Sequence, residues 1–165
     1  MSVDLYGYEN YPSLGLTRNS HTIISYFGDG EYQLELTDAS THLFVPNSFH
    51  FHAPSEHTVN DKHYDMELHI VHATKGLPRK LRAVISVFFD RKAGGNADNP
   101  LLSALDFSKT TKDVSVAMKN VNVASFLGEL DFSKYWHYRG SLTTPPCTEG
   151  IEWTVLQEVQ PISDA

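Results

Sequence analysis

Short runs of β-branched, aromatic and other apolar residues, separated by turn formers, dominate this chain, which is the pattern of strands. The segment 64–73, "YDMELHIVHA", alternates, so Glu67, His69 and Val71 share one face and Leu68, Ile70 and His72 the other. The run 82–90, "RAVISVFFD", is almost continuously apolar, as expected of a central strand covered on both sides. The segment 42–53, "HLFVPNSFHFHA", continues the pattern, with Pro46 and Asn47 marking a bend or bulge. Two β-rich runs within 21–36 flank Gly28-Asp29-Gly30 and predict a hairpin.

The middle of the chain changes character. "RKAGGNADN" (91–99) reads as a surface loop, and "PLLSALDF" (100–107) opens with proline at the first position of a helix. "NVASFLGEL" (122–130) predicts a second short helix capped by Asn122. "KYWHYRGSLTTPPCTEGIEWTVL" (134–156) then returns to strand, breaks at Gly140 and at Pro145-Pro146, and resumes. No internal repeat or low-complexity linker interrupts residues 1–165, so one domain is expected, mainly β, built on a large sheet with few helices.

Composition narrows the function. A chain of 165 residues with 41% hydrophobic content suits one globular domain with a sizeable core. The formal net charge is −7 and basic residues cluster only at "LPRKLR" (77–82), so nucleic acid is not an expected partner. No apolar run is long enough for a membrane-spanning helix, and "MSVDLYGYEN" has no signal-peptide pattern. The single cysteine, Cys147, excludes an internal disulfide framework. Nine histidines, several of them clustered, point toward metal chemistry.

The histidines carry the chemical argument. In "SFHFHAP" (48–54) His50 and His52 lie two residues apart on a strand, so both project from one face while Phe49 and Phe51 project from the other. The loop-forming residues 53–63 allow the next strand to return antiparallel, bringing His69 into reach. Three imidazoles with an open fourth position are the arrangement of a catalytic zinc site. Glu67, on the face of His69, is placed to orient a ligand imidazole. A facial iron triad would use two histidines and a carboxylate as ligands instead. Spacing alone leaves a third reading open, in which these are ordinary core or surface histidines.

The ordered blocks "FHFHAPSEHTVNDKHYDMELHIVH" (49–72) and "YRGSLTTPPCTEGIEWTVL" (138–156) resemble the α-class carbonic anhydrases. The resemblance implies a single large, mostly antiparallel twisted sheet with a few short surface helices. It also implies reversible hydration of carbon dioxide to bicarbonate by zinc-bound hydroxide, with Zn2+ on His50, His52 and His69. Glu67 would support His69, and Thr143 would take a hydrogen bond from the hydroxide and pass one to Glu56. Val71, Val84, Leu142 and Trp153 would form the apolar wall for carbon dioxide, and Thr144 would line the substrate side. His57 would be structural. "LTRNSHTI" (16–23) is similar to the segment that carries the family's proton shuttle, which places His21 in that role. An imidazole titrating near pH 6.5 suits such a task.

The chain departs from the family pattern in several places. Segments usual at the start and end of the domain are not seen, so the expectation is a domain truncated at both ends. Either the sequence is incomplete or processed, or a partner chain completes the sheet. In secreted and lumenal members a cysteine after "TTPP" pairs with one near the N-terminus, so Cys147 reads as half of such a bridge or as a free thiol, leaning toward a secreted or organelle-lumen setting. Ala53 stands where tryptophan is common, and Ser48 where an amide is common. The alternative to an active lyase is a carbonic-anhydrase-related structural or binding subunit of a larger assembly.

Overall fold

The computed structural model describes residues 3–6, 13–20, 22–27, 33–36, 43–74, 82–119 and 121–164. In chain order its strands are β1 (Val3–Tyr6), β2 (Ser13–Arg18), β3 (Ile23–Tyr26), β4 (Gln33–Leu36), β5 (Leu43–His52), β6 (Thr58–Val59), β7 (Lys62–His63), β8 (Met66–Thr74), β9 (Arg82–Phe89), β10 (Ser115–Lys119), β11 (Tyr135–Ser141) and β12 (Glu149–Gln160). Two short helices, α1 (Pro100–Leu105) and α2 (Val123–Gly128), lie between β9 and β11. Among the described residues ten strands form one sheet in the order β10-β2-β3-β5-β8-β9-β12-β11, with β4 also on β5 and β1 on β4. The small hairpin β6–β7 fills the connection from β5 to β8. The architecture is the mainly β, large-sheet fold expected, and every described strand pair in the large sheet is antiparallel except β9–β12, which is parallel.

The two faces of the sheet do different work. Phe49 and Phe51 of β5, Leu68 and Ile70 of β8, and Ile85, Val87 and Phe89 of β9 point to one side and join Leu14, Leu16, Leu105, Leu127 and Leu156 in the main core. Burial at that scale is the dominant source of stability in such a domain. The opposite face carries His50, His52, Glu67 and His69. Both faces of β8 are covered, so that Leu68 and His69 are each 1% exposed.

Local chemistry sets the helix ends. Asn99 caps α1, its side-chain oxygen accepting from Leu101 N–H (3.0 Å), with Pro100 in the first turn. Asn122 caps α2 through Ser125 N–H (2.9 Å). The bend expected at Pro46-Asn47 is a register shift against β8 between Pro46 and Ser48.

Two expectations are corrected. Among the described residues of 21–36 the predicted hairpin pairing is not seen: β3 and β4 do not pair with each other but lie along successive parts of β5, at Ser48–His50 and Leu43–Phe44, both antiparallel to it. They therefore run in the same direction, and long-range pairing with β5 overrides the local turn signal of Gly28-Asp29-Gly30, which lies outside the described residues. Gly140 does not end its strand either. β11 continues to Ser141 through a register shift between Gly140 and Ser141, and a Cβ at 140 would meet the Tyr138 ring at 2.8 Å.

Past β12 the chain is tied to the loop after β9. Arg91 pairs with Asp65 (2.8 Å) and Asp164 (2.5 Å), and Asp90 N–H donates to Gln160 C=O (3.1 Å). Gly94 packs so closely that a Cβ there would lie 2.1 Å from Gln160 O. Gly94→Ala should therefore destabilise the chain by about 1–3 kcal/mol, the usual cost of overpacking against rigid backbone. A urea denaturation midpoint equal to the parent's would show that the loop yields freely.

Candidate metal centre

The pairing of β5 with β8 assembles the centre. The register sets His50 opposite His69 and His52 opposite Glu67, all on one face. Ring centroids are 4.8 Å apart for His50 and His52, 5.2 Å for His50 and His69, and 4.7 Å for His52 and His69. One nitrogen from each ring lies within 4.8 Å of the others, a cluster that could hold a metal ion.

Glu67 is fully buried and organises one side of the cluster. Its Oε1 takes hydrogen bonds from His69 Nε2 (2.8 Å), His57 Nδ1 (2.5 Å) and the Ser86 hydroxyl. Its Oε2 accepts from the backbone N–H of Glu56 (2.8 Å) and His57 (2.9 Å). Burial alone would raise the pKa of this carboxyl, but the bonds from His57 and His69 outweigh it and hold the group well below the usual carboxylate range. An ionised carboxylate accepts only, so the proton of His69 sits on Nε2 and its Nδ1 keeps a lone pair for the cluster. The same logic puts the His57 proton on Nδ1, and His57 Nε2 then accepts from the Tyr138 hydroxyl (2.6 Å). Burial, with Glu67 and Glu56 nearby, pushes the Tyr138 phenol up to about 12, so it stays a donor. The grouping of His57, Glu67 and His69 also satisfies metal spacing. Its carboxylate oxygens are already saturated by hydrogen bonds, so it supports the centre rather than forming a second one.

The remaining imidazoles are held neutral. Burial, then the neighbouring His69 and His52, lowers the pKa of His50 to about 3, and burial followed by His69 lowers that of His52. Neutral imidazole is the ligating form. His50 Nδ1 and His52 Nε2 are buried and have no hydrogen-bond partner. A buried imidazole nitrogen without a partner is costly, and a cation would satisfy one that offers its lone pair to the cluster. The residues fit a metal.

Beside the histidines Val84, Ile151 and Trp153 form an apolar cluster separate from the main core, with Val71 and Leu142 packed on it. Trp153 meets His69 edge-on, centroids 4.8 Å apart at 70°, and stacks with Tyr138 at 6.2 Å. The four residues expected at an apolar wall thus come together with Ile151, which the sequence reading missed although it alternates with Trp153 on β12.

Not every expected contact is present. Glu56 Oε1 lies 3.4 Å from His52 Nδ1 and Oε2 lies 3.9 Å from His69 Nδ1, and no hydrogen bond joins Glu56 to Thr143 among the described residues. Thr143 and Thr144 are exposed in the β11–β12 loop, which closes through Leu142 N–H to Thr148 C=O and Cys147 N–H to Thr144 C=O, both 2.9 Å. Cys147 is an exposed free thiol. His21 lies outside the described residues. Sequence reasoning also missed Ser86 and Tyr138. Ser86 did carry a signal, as the lone hydroxyl within the apolar run 83–89.

The model of the eukaryotic-type carbonic anhydrases matches residues 1–165. The chain belongs to that family. It is 36% identical over 156 residues to a carbonic anhydrase of Klebsiella pneumoniae, covering 91% of this chain and 57% of the relative. It is 35% identical over 152 residues to dioscorin DB3S of Dioscorea polystachya, covering 90% and 52% respectively. A solved α-carbonic anhydrase of Thermovibrio ammonificans, in complex with the inhibitor sulfanilamide, superposes with a TM-score of 0.79 at 32% identity. It covers 99% of this chain and 67% of that one. The chain spans about half the length of the curated relatives it matches. No helix among the described residues is long and apolar enough to cross a membrane.

Acid should destabilise this chain through its buried imidazoles. On the other face of β8, burial lowers the pKa of fully buried His72 to about 4, and His50 and His52 are lowered too. A group whose folded pKa is depressed contributes stability above its unfolded value, here about 6.5, and loses it as pH falls. The metal-free chain should thus weaken steadily below about pH 6.5, with His72 alone adding a slope of roughly 1.4 kcal/mol per pH unit between about pH 6 and 4.5. Urea midpoints across that range check this, and His72→Gln should flatten the slope by about one proton. An unchanged slope would mean that His72 protonates as easily in the folded chain as in the unfolded one.

Proposed function

We propose that His50, His52 and His69 hold a zinc ion and that this chain hydrates carbon dioxide reversibly to bicarbonate and a proton. The observation that carries the reading is the convergence of three imidazoles, two with orphaned buried nitrogens and the third aimed by a buried carboxylate. Three imidazole donors converging at one point, with Glu67 saturated by hydrogen bonds, suit zinc better than an oxygen-preferring cation. Zinc chemistry, for which carbonic anhydrase is itself the standard example, brings the pKa of coordinated water to about 7 and so supplies a nucleophile at neutral pH.

The chain's own residues do the rest. Glu67 fixes the tautomer and orientation of His69, and His57, Ser86 and Tyr138 fix Glu67. The wall of Val71, Val84, Leu142 and Trp153 offers an apolar gas a dry surface without a competing donor. Thr143 would orient the nucleophile and hand its proton's hydrogen bond to Glu56, which requires the Glu56 carboxylate to turn from His52 toward the loop. Thr144 would border the substrate, and His21 would carry the released proton to solvent.

A second reading keeps the fold and drops the turnover. It rests on the unjoined Thr143 and Glu56 and on relatives that include dioscorins beside carbonic anhydrases, one solved dioscorin being in complex with ascorbate. In it the chain is a carbonic-anhydrase-related binding subunit, with a partner chain completing the sheet.

Zinc content and carbon dioxide hydration on the purified chain, with a sulfonamide as probe, separate the two. The expected result is about one zinc per chain with sulfonamide-sensitive hydration. Zinc without hydration would favour the binding subunit. His50→Ala should abolish both signals, and Glu67→Gln should weaken zinc binding by roughly 10- to 100-fold. Full activity after His50→Ala would remove His50 from the ligand set.

A further inference from the structure

The peptide that joins the two candidate ligands of β5 is held by a side chain where a strand would be expected. β3 pairs with β5 at Tyr26↔Ser48, Ser25↔Phe49 and Ile24↔His50, and the ladder stops there. One step further Ile23 would face Phe51. In its place Thr22 Oγ1 accepts from Phe51 N–H (3.2 Å) and donates to Phe51 C=O (2.5 Å). A hydroxyl is a donor and an acceptor at one atom, so a single side chain satisfies both backbone groups of Phe51, one in each peptide flanking it. Successive residues of an antiparallel strand aim their amide groups at opposite edges, so β8, which faces His50 and His52, leaves the groups of Phe51 to the other edge.

Thr22 is itself fixed. Its N–H donates to Asn19 Oδ1 (2.8 Å) and its C=O accepts from Asn19 N–H (2.9 Å). Asn19 directly follows β2 and Thr22 directly precedes β3, so the sheet positions the pair. The Phe51 ring is buried in the main core, 6.0 Å from Phe49 and 5.2 Å from Phe107 between centroids. Residue 51 is therefore held by its ring from one face and by Thr22 from the edge, while His50 and His52 project from the other face at 4.8 Å and 77°.

We propose that Thr22 is a positioning residue for the metal centre. Its hydroxyl fixes the Phe51 peptide and through it the separation and mutual angle of the His50 and His52 rings. The inference rests on His50, His52 and His69 being the zinc ligands. It separates Thr22 from an ordinary edge residue, whose loss would lower stability without touching metal affinity in the folded chain.

Thr22→Val keeps the shape and removes the hydroxyl, and Thr22→Ser keeps the hydroxyl and removes the methyl. Zinc affinity of the folded full chain, read by competition with a chromophoric chelator, should fall about 10-fold in Thr22→Val, the lower end of the range for groups that orient ligands. The visible spectrum of the cobalt(II)-loaded chain should shift in the same variant. Thr22→Ser should stay within about two-fold of the parent, as expected when the hydroxyl carries the effect. Parent-like affinity and spectrum in Thr22→Val would overturn the proposal, as would a 10-fold loss in Thr22→Ser. If Thr22→Val does not fold, the serine variant decides, together with hydrogen exchange at the Phe51 amide, which must be as protected as the core of β5. A parent chain that takes up no zinc would overturn the metal reading itself. Zinc uptake by the parent with an unaltered valine variant would overturn the role of Thr22 alone.

Discussion

The register between β5 and β8 is the constraint on which the rest of the structure depends. Side chains alternate between the faces of a strand, so a slip of one residue would send His69 and Glu67 into the apolar core and bring Leu68 and Ile70 to the metal face. The observed register sets His50 against His69 and His52 against Glu67, and in the same step it packs Phe49 against Ile70 and Phe51 against Leu68. The hydrophobic effect thus selects the alignment that also builds the centre. The bulge at Pro46–Ser48 precedes the stretch that carries His50 and His52, which pairs with β8 in unbroken register.

Glu67 shows how costly such a centre is to build. A buried carboxylate is tolerated only when it is paired and fully hydrogen-bonded. Here two backbone amides, two imidazoles and the Ser86 hydroxyl supply those bonds. The donors come from three places: the loop after β5, β8 itself, and β9 at the residue opposite His69. The network therefore depends on three segments at once, and through His57 and Tyr138 it reaches β11. The parallel pairing of β9 with β12 brings Trp153 beside Val84, so the apolar cluster stands next to the polar one without mixing with it.

Much of the site could be read from short-range pattern. The i, i+2 spacing of His50 and His52, and of Glu67 and His69, determines which side chains share a face, because the strand period is two and needs no partner. The helix start at Pro100, the cap at Asn122, the bend at Pro46 and the strand at 82–90 were legible for the same reason: their physics is local. Where a local signal met a long-range one, the long-range one won. Gly28-Asp29-Gly30 suggested a hairpin, yet β3 and β4 both pair with β5, and the strand through Gly140 is held by twelve-residue-long β12.

By itself the sequence determined the family, through its ordered motifs, and which side chains share a strand face, since residue type and spacing carry both; the proposed ligand triplet follows from those faces, and the apolar wall from the family resemblance alone. Only the tertiary structure decided which nitrogens are left without partners, that Ser86 and His57 converge on Glu67 with Tyr138 behind His57, and that Thr22 substitutes for a missing rung beside Phe51. It also decided that Thr143 and Glu56 stand apart here, although their motifs suggested a closed relay. Those facts depend on contacts between segments far apart in the chain, and hydrogen-bond partners across a sheet are set by register and burial, which no short stretch encodes.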